Sequence, residues 1–364
     1  MRINHLALKN FRNYDFASFT FSPSTNVLIG KNAQGKTNLI EAIYLLSIAK
    51  SFRTRSTQEL IQFNKEYARI LGNVESHHIQ RELEMILFED GKQAKVNGSK
   101  CAKTSEFVGY FNVVVFTPDD LFFVKGSPKN RRRFMDIELA KISPAYLSYL
   151  NAYQHYLKER NQYFKKVNFS QKKDDVYLSI ITDQMIDAAL QIASRRQSFI
   201  QQINARAKKI YQKIAGVDEE IDISYRTFFD VDNTTKDELI EYYKKQEDRD
   251  YKFAITNQGI HKDDLNILIN GKDAAQFASQ GQQRTIVLAL KIALLQYIYH
   301  EIGEYPVLLL DDVLSELDVS RQNLLLDLVS HDIQTFITTT SIEGIEHEVI
   351  KKATKIEIKQ ERSQ

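Results

Sequence analysis

A glycine-rich segment near the start of the chain carries the clearest chemistry in the sequence. The string GKNAQGKT fits the pattern GxxxxGK[ST], and it stands between the apolar string NVLI and the helical string NLIEAIYLLSIA. Glycines let a backbone wrap around phosphate oxygens, and the amides at a helix N-terminus present positive dipole to them. The segment therefore predicts a loop that binds nucleotide phosphates through Gly30, Lys31, Asn32, Ala33, Gln34, Gly35, Lys36 and Thr37.

Two carboxylates far along the chain complete the chemistry that such a loop requires. In this type of site Lys36 reaches the β- and γ-phosphates, and the Thr37 hydroxyl ligates Mg²⁺ together with an aspartate from a neighbouring strand. The string PVLLLDDVLSELD offers Asp311 directly after a buried apolar strand, where ligands of α/β sheets collect. Asp312 follows it and can orient or deprotonate an attacking water. The predicted catalytic residues are therefore Lys36 and Asp312, and the predicted metal ligands are Thr37 and Asp311.

A third segment offers a second anion site. In FASQGQQRTIVLALKIALL, the residues Ser279, Gln280 and Gly281 stand just before a long helix that we expect to be amphipathic. The first turn of such a helix points amides and a serine hydroxyl outward. The alternative is a plain N-cap, in which Ser279 satisfies the helix and nothing more.

The order of predicted elements explains how distant motifs can share one site. The first hundred residues indicate short strands and turns, including a hairpin turn at NGSK. Residues 146–167 and 176–215 carry apolar residues at helical spacing, and beyond Asp250 a β-like pattern returns in FAITNQG, LNILINGK, VLLL and FITTT. We therefore predict an α/β fold of mixed sheets and helices, with a head formed by residues 1–104 and 251–364 and an inserted, mainly helical lobe at residues 105–250.

Composition is that of a soluble globular protein large enough for two domains. The 364 residues are 43% hydrophobic and 26% charged, and the single Cys101 excludes an internal disulfide. The first residues alternate apolar and polar side chains, which predicts a strand and not a signal peptide. The longest apolar segment, IVLALKIALLQYIY, contains Lys291 and is shorter than the ~18 residues that a bilayer span needs. We expect a cytoplasmic protein without a membrane partner.

Charge is distributed unevenly along the chain. Residues 151–215 contain twelve basic and five acidic residues, whereas residues 216–250 contain twelve acidic and five basic ones. Such blocks indicate either solvated helix faces or a surface that binds a polyanion. A further basic cluster is formed by Lys129, Arg131, Arg132 and Arg133.

Taken together, these strings resemble the ATP-binding-cassette (ABC) heads of SMC-type ATPases, and within that group the RecF family of bacterial recombination mediators. SQGQ before a helix, LLLDD and SELD occur in the family's order. The resemblance extends through NFRNY, PDDLFFVKGSPKNRRRFMD and LLDDVLSELDVSRQNLL, so it covers the N-terminal, middle and C-terminal thirds of the chain.

The resemblance implies the cofactors ATP and Mg²⁺ and a slow ATPase. It assigns Ser279, Gly281 and Gln282 to the signature motif and residues 315–318 to a loop that couples two active sites. It also implies an ATP-dependent head-to-tail homodimer on duplex or gapped DNA, bound without sequence preference, with RecR and RecO as partners in loading a recombinase. Arg12 looks like the arginine that such heads place near the phosphates, and a surface arginine at a strand end is the alternative.

The sequence departs from cassette ATPases in two places and leaves other functions open. The usual catalytic glutamate is Asp312 here, and FITTTS has no switch histidine, so no role is assigned to Thr338, Thr339 or Thr340. In GIHKDDL the acids Asp263 and Asp264 are open to a structural interpretation. The alternative functions are a soluble ATPase subunit of a transporter, an SMC-like structural ATPase and a P-loop kinase.

Overall fold

Strands are concentrated in the two terminal parts of the chain. The computed structural model describes residues 1–168, 173–216, 218–328, 332–341 and 347–359. In chain order the strands are β1 (Arg2–Phe11), β2 (Tyr14–Thr20), β3 (Thr25–Ile29), β4 (Tyr67–Ser76), β5 (Ile79–Phe88), β6 (Gly91–Val96), β7 (Ser99–Lys100), β8 (Val113–Phe116), β9 (Ile221–Arg226), β10 (Asp264–Ile269), β11 (Lys272–Asp273), β12 (Val307–Leu310), β13 (Thr335–Thr339) and β14 (Thr354–Glu357).

Helices dominate the middle of the chain. They are α1 (Lys36–Ile48), α2 (Phe122–Lys125), α3 (Pro128–Ile142), α4 (Pro144–Asn168), α5 (Asp175–Ala215), α6 (Lys236–Phe253), α7 (Ala274–Phe277), α8 (Gln280–Ile302), α9 (Val319–Leu328) and α10 (Glu348–Lys352). The helices predicted at residues 146–167 and 176–215 are confirmed as α4 and α5.

Backbone contacts divide the chain into two units. Unit 1 comprises Met1–Asp120 and Lys291–Gln364, and unit 2 comprises Leu121–Leu290. Unit 2 begins and ends later in the sequence than the helical lobe that was expected at residues 105–250. The division into a head and an inserted lobe at 105–250 therefore stays a prediction.

Unit 1 is built from two sheets. The antiparallel sheet has the order β2-β1-β4-β5-β6-β7, and the parallel sheet has the order β14-β3-β13-β12-β8. Helix α1 contacts β4 and β5 of the first sheet and β8 and β13 of the second. Its residues are buried on nearly every side, as expected of a helix packed between two layers. The predicted turn at NGSK is confirmed, because Asn97 and Gly98 have φ angles of 50° and 78° between β6 and β7.

Unit 2 combines packed helices with a small sheet. Helix α5 contacts α4, α6 and β9, and the antiparallel sheet has the order β11-β10-β9. Strand β9 lies in a region expected to be helical. The β-like interpretation of FAITNQG is wrong, because α6 continues to Phe253 and Ala254 ends it with a left-handed φ of 53°. The following amides bond to side chains instead of to a strand, Thr256 N to Asn161 Oδ1 and Asn257 N to Asp250 Oδ1.

Helix α8 is buried on all sides for most of its length, so the expected amphipathic pattern is wrong. Nearly every residue from 285 to 298 is buried. By length and composition, α8 alone among the described residues could cross a bilayer, but 72% of its apolar window is buried inside the protein. Lys291 fits this setting because its Nζ donates to Val115 O at 2.5 Å and pairs with Asp120 at 2.8 Å. These properties are those of a core helix.

Candidate functional site

The predicted phosphate loop and the predicted acids lie at the carboxyl ends of neighbouring parallel strands. Strand β13 lies between β3, which precedes the loop, and β12, which precedes Asp311. In register, Thr338 is paired with Leu28 of β3, and Ile337 is paired with Leu310 of β12. The loop and the acids therefore meet at one edge of the sheet, although they are hundreds of residues apart in sequence.

The glycines of the loop are required by its geometry. Gly35 immediately precedes α1 and has a φ of 110°, which favours glycine, and a Cβ there would lie 2.7 Å from Asn13 Nδ2 and 2.9 Å from the Tyr14 hydroxyl. A Cβ on Gly30 would lie 2.6 Å from Ile358 O. Ala33 also has a positive φ, 65°. The backbone can therefore turn tightly onto the N-terminus of α1, where anions bind.

Lys36 is folded back over the loop that it belongs to. It is 5% exposed, and its Nζ donates to Gly30 O at 2.6 Å and to Lys31 O at 3.1 Å. The Lys31 amide donates to Gln34 Oε1 at 2.5 Å. Carbonyl oxygens thus hold the ammonium group beside the loop, within the segment where a phosphate is expected to bind.

Polar side chains from the β1–β2 turn, from β2 and from α1 form hydrogen bonds around the loop. The Tyr14 hydroxyl donates to Gly35 O at 3.1 Å, and Asn13 Nδ2 donates to Gln34 O at 3.1 Å. Asn38 Nδ2 in turn donates to Asn13 Oδ1 at 2.7 Å. Burial raises the pKa of Tyr14, so this residue stays a neutral donor. The NFRNY string therefore supplies two residues that contact the loop.

The two predicted metal ligands are in direct contact. The Thr37 hydroxyl donates to Asp311 Oδ1 at 3.0 Å, and the Thr338 hydroxyl donates to the same oxygen at 2.9 Å. Burial raises the pKa of Asp311 and neighbouring Asp312 raises it further, while both hydroxyl bonds lower it. A cation next to this buried carboxylate would stabilise its charged form.

The donor set fits Mg²⁺. A hydroxyl that donates its proton to Asp311 keeps its lone pairs for a metal ion, so Thr37 can serve both partners. Within the described ranges, no group of three or more His, Cys, Asp or Glu side chains could hold a metal. Mg²⁺ usually takes one or two protein oxygens and completes its shell with phosphate and water, so a hydroxyl and a carboxylate are a sufficient protein contribution.

Asp312 has an unusual backbone. Its φ is 54°, its amide donates to Thr338 Oγ1 at 2.8 Å, and its carbonyl accepts from Ser315 Oγ at 2.7 Å. Further along the predicted coupling loop, exposed Asp318 accepts from the Arg321 amide at 3.0 Å at the start of α9. Thr338, to which the sequence assigned no role, therefore contacts both predicted acids.

Arg12 is bound to a buried carboxylate. Its Nε and Nη2 donate to the two oxygens of Glu41 at 2.9 Å each, and its Nη1 donates to Glu59 O at 2.7 Å. Glu41 is fully buried on α1, and Ser51 and Arg53 also contact it. Glu41 was not among the predicted site residues, although an acid within the apolar run LIEAIYLL is a signal for a buried ion pair. A phosphate contact by Arg12 stays a prediction.

The predicted signature residues lie in unit 2 and form a helix cap. Ser279 Oγ accepts from the Gln282 amide at 3.2 Å, and the Ser279 amide donates to Gln282 Oε1 at 2.8 Å. Gln282 also donates to Glu219 at 2.8 Å, and Gly281 O accepts from the Thr285 hydroxyl at 2.9 Å. Ser279 is exposed, so the capping geometry leaves its side chain accessible.

The predicted basic surface is smaller than the sequence indicates. Arg131 is 9% exposed and forms a bidentate pair with Asp264, so its assignment to a basic surface cluster is wrong. Within residues 151–215, Arg160 and Arg196 are also buried in ion pairs. Asp263 accepts from Arg196 at 3.0 Å, and Asp264 accepts from Arg131. Both acids of GIHKDDL therefore form structural ion pairs, an interpretation that the sequence had left open.

Comparisons with known proteins match the full length of the chain. The family described as "RecF/RecN/SMC N terminal domain" matches residues 2–364. The "DNA replication and repair protein RecF" of Staphylococcus aureus strain JH9 is 43% identical over 365 residues, which cover 99% of each protein. A solved structure of the recombination mediator protein RecF with ATP, described as part of the RecFOR pathway, has a TM-score of 0.90 at 33% identity and covers 98% of this chain and 95% of its own.

A more distant solved structure shares the fold alone. The Smc head domain derived from Pyrococcus furiosus has a TM-score of 0.53 at 17% identity, covering 98% of this chain and 93% of its own. The ABC-type head predicted from the motifs is therefore confirmed as the fold of this chain.

Proposed function

The chain belongs to the RecF family of ABC-type ATPases, and we propose that it works as a nucleotide-gated DNA clamp in recombinational repair. Members of this family act in ATP-dependent DNA repair, and this chain shares their ATPase fold, with ATP and Mg²⁺ as cofactors. The alternatives of a transporter subunit or a purely structural SMC-like ATPase are not favoured, because full-length relatives are RecF proteins.

The contact that carries the proposal is the 3.0 Å bond between Thr37 and Asp311, which joins residues 274 positions apart. In this proposal the phosphate loop binds the triphosphate and Lys36 neutralises its β- and γ-oxygens. Thr37 and Asp311 would hold Mg²⁺, which would supply positive charge beside the phosphates when bound. Asp312 then orients or deprotonates the attacking water.

We further propose that the nucleotide site is shared between two copies of the chain. The phosphate loop belongs to unit 1 and exposed Ser279 belongs to unit 2. In a head-to-tail pair, Ser279, Gly281 and Gln282 of one copy would contact the γ-phosphate bound by Lys36 of the other. ATP can drive pairing only by as much as it binds the pair better than the single copy, and ADP lacks the group that makes the difference. Hydrolysis would then release the pair.

On this proposal the paired protein contacts duplex or gapped DNA through its phosphates, without sequence preference. RecR and RecO are the proposed partners, and the proposed outcome is loading of a recombinase at gaps. A cytoplasmic location follows from that role. Slow ATP turnover, at about 1 per second or below, would act as a timer on DNA contact.

Sedimentation velocity with ATP, ADP or no nucleotide tests the shared site. We expect a monomer without nucleotide and with ADP, and a dimer with ATP. Ser279→Arg should keep ATP binding by the monomer and abolish the dimer, because a long cation replaces a small hydroxyl at the proposed contact.

A matched control separates this effect from the loss of a helix cap. Thr235 caps α6 in the same way, since its hydroxyl accepts from the Glu238 amide at 3.3 Å and its own amide donates to Glu238 Oε2 at 2.8 Å. Thr235→Arg should therefore dimerise with ATP like the unmodified protein. Dimers of Ser279→Arg with wild-type affinity would contradict the shared site.

A further inference from the structure

We propose that Thr338 is a positioning residue that sets the geometry of both acids at the ATPase site. The inference rests on the ATPase function proposed above. The Thr338 hydroxyl donates to Asp311 Oδ1 at 2.9 Å and accepts from the Asp312 amide at 2.8 Å. One side chain thus links the predicted metal ligand to the backbone of the predicted base.

The sheet order places Thr338 where such a link is possible. Strand β13 is the middle strand between β3, which leads to the phosphate loop, and β12, which leads to Asp311. At its carboxyl end the Gly30 amide donates to Thr339 O at 3.4 Å. A short stretch of β13 is therefore bonded to the start of the phosphate loop on one side and to both acids on the other.

The chemistry of a hydroxyl suits this position. A threonine hydroxyl has one proton to donate and lone pairs to accept with, so it can hold a carboxylate and an amide at once. Thr338 is 1% exposed, which leaves no solvent to replace either bond if the hydroxyl is removed. The Thr37 hydroxyl, by contrast, must also serve the metal. Thr338 thus orients the Asp311 carboxylate without being a metal ligand itself.

The second bond fixes a backbone that is otherwise unfavourable. Asp312 has a φ of 54°, in the left-handed region that residues with side chains rarely adopt. Such conformations persist where neighbouring groups hold them. The bond from the Asp312 amide to Thr338 and the bond from Ser315 to its carbonyl hold this one. Loss of the first bond frees the turn that directs the Asp312 side chain.

The test measures how Mg²⁺ changes nucleotide affinity in purified full-length protein. A fluorescent ATP analogue is titrated into the protein without Mg²⁺ and over a series of Mg²⁺ concentrations. Thr338→Val keeps the side-chain shape but cannot form either bond. We expect it to bind the analogue normally without Mg²⁺, and to need roughly tenfold more Mg²⁺ for the same gain in affinity, as is typical when a group supporting a metal ligand is lost.

Two further variants separate positioning from packing. Thr338→Ser retains the hydroxyl and should restore the Mg²⁺ dependence. Thr335→Val, at the other end of the same strand, removes a buried hydroxyl that donates to Ile333 O at 3.2 Å and should leave the Mg²⁺ dependence unchanged. An unchanged Mg²⁺ dependence in Thr338→Val, or loss of Mg²⁺-free binding that serine does not restore, overturns the inference. Absence of Mg²⁺-dependent binding in the unmodified protein would instead contradict the ATPase proposal.

Discussion

Arg131 illustrates at the residue scale why a basic string does not by itself define a binding surface. The string KNRRR suggests a cluster of cations, but Arg131 points into unit 2 and forms a bidentate ion pair with Asp264. Its remaining N–H groups donate to backbone carbonyls, including Gly126 O at 2.8 Å. Lys129, two residues earlier, is exposed. Lys129 and Arg131 carry the same charge on the same helix, but Lys129 faces solvent and Arg131 is buried in an ion pair.

Replacing these two residues should therefore have different effects on stability. Arg131→Met removes the bidentate partner of the buried Asp264 carboxylate and leaves the exposed Arg226, 3.5 Å away, as a weaker cationic neighbour. We expect a loss of about 3 kcal/mol in the free energy of unfolding, because breaking a buried ion pair leaves an uncompensated charge. Lys129→Met removes the same charge from an exposed site and should change stability by about 0.5 kcal/mol or less. Urea unfolding followed by circular dichroism measures both, and equal losses would contradict the structural role of Arg131.

The sequence predicted those site residues whose roles are defined by a short motif. The contact between Thr37 and Asp311 follows from the phosphate-loop pattern and from an apolar strand that ends in an acid. Thr338 could not be assigned in this way, and for Glu41 the sequence signals a buried ion pair without indicating its partners. The position of Thr338 depends on β13 lying between β3 and β12, and the partners of Glu41 come from separate segments. Side chains whose function depends on sheet order need the fold before they can be identified.

At the element scale, the short 3-10 turn Ile260–Lys262, between α6 and the small sheet, contains a partly buried histidine. His261 Nδ1 lies 2.7 Å from the Tyr153 hydroxyl, and Nε2 lies 3.2 Å from Thr256 O. The ring is therefore the neutral form with its proton on Nε2, accepting from tyrosine at Nδ1. Burial lowers the pKa of His261 from 6.5 to about 4. The neutral ring is part of the packing that joins α4 to this turn.

This shift predicts a specific acid sensitivity of the fold. Because the folded pKa lies below the unfolded value of 6.5, the contribution of His261 is present above pH 6.5 and is lost as the pH falls toward 4. The full shift corresponds to at most about 3 kcal/mol. His261→Gln should lower the stability at pH 7 and show a smaller further loss at pH 4.5 than the unmodified protein. Urea unfolding at both pH values measures the difference.

An exposed histidine provides the control for that experiment. His155 lies on α4 in the same unit with a side chain that is 62% exposed. His155→Gln should have the same pH dependence as the unmodified protein. If His261→Gln and the unmodified protein lose equal stability between the two pH values, the neutral ring does not cause the acid sensitivity.

The errors made for whole elements have physical causes. FAITNQG alternates like a strand, but its amides bond to Asn161 and Asp250 side chains, which propensity cannot anticipate. Strand β9 was missed because its string IDISYR lies between two long helices, and its pairing partner β10 starts 38 residues after β9 ends. Helix α8 was expected to have a polar face, but it is surrounded by other elements. Local patterns predicted long helices and buried strands well and failed where distant partners decide the conformation.

At the scale of the whole molecule, the residues of the predicted ATPase site come from both terminal parts of the sequence, and the helix-rich unit 2 is formed by the sequence between them. The described residues of α4 and α5 expose several lysines: Lys158, Lys165, Lys166, Lys209 and Lys213. Arg160 and Arg196, on the same two helices, are buried and do not contribute to this surface. The remaining lysines lie on two long helices, so their charges are presented along an extended surface. A polyanion can bind such a surface through its phosphates.

The proposed clamp predicts that the nucleotide state and salt act together on DNA binding. Pairing doubles the cationic surface that faces one duplex, so ATP should strengthen binding over ADP, and affinity should fall steeply between about 50 and 200 mM salt as counterions are released. Fluorescence anisotropy with two duplexes of unrelated sequence measures this, and both should give the same affinity. Ser279→Arg should bind DNA equally with ATP and ADP, because it cannot pair. Equal affinities with ATP and ADP in the unmodified protein would contradict the clamp, since hydrolysis would then have no DNA contact to release.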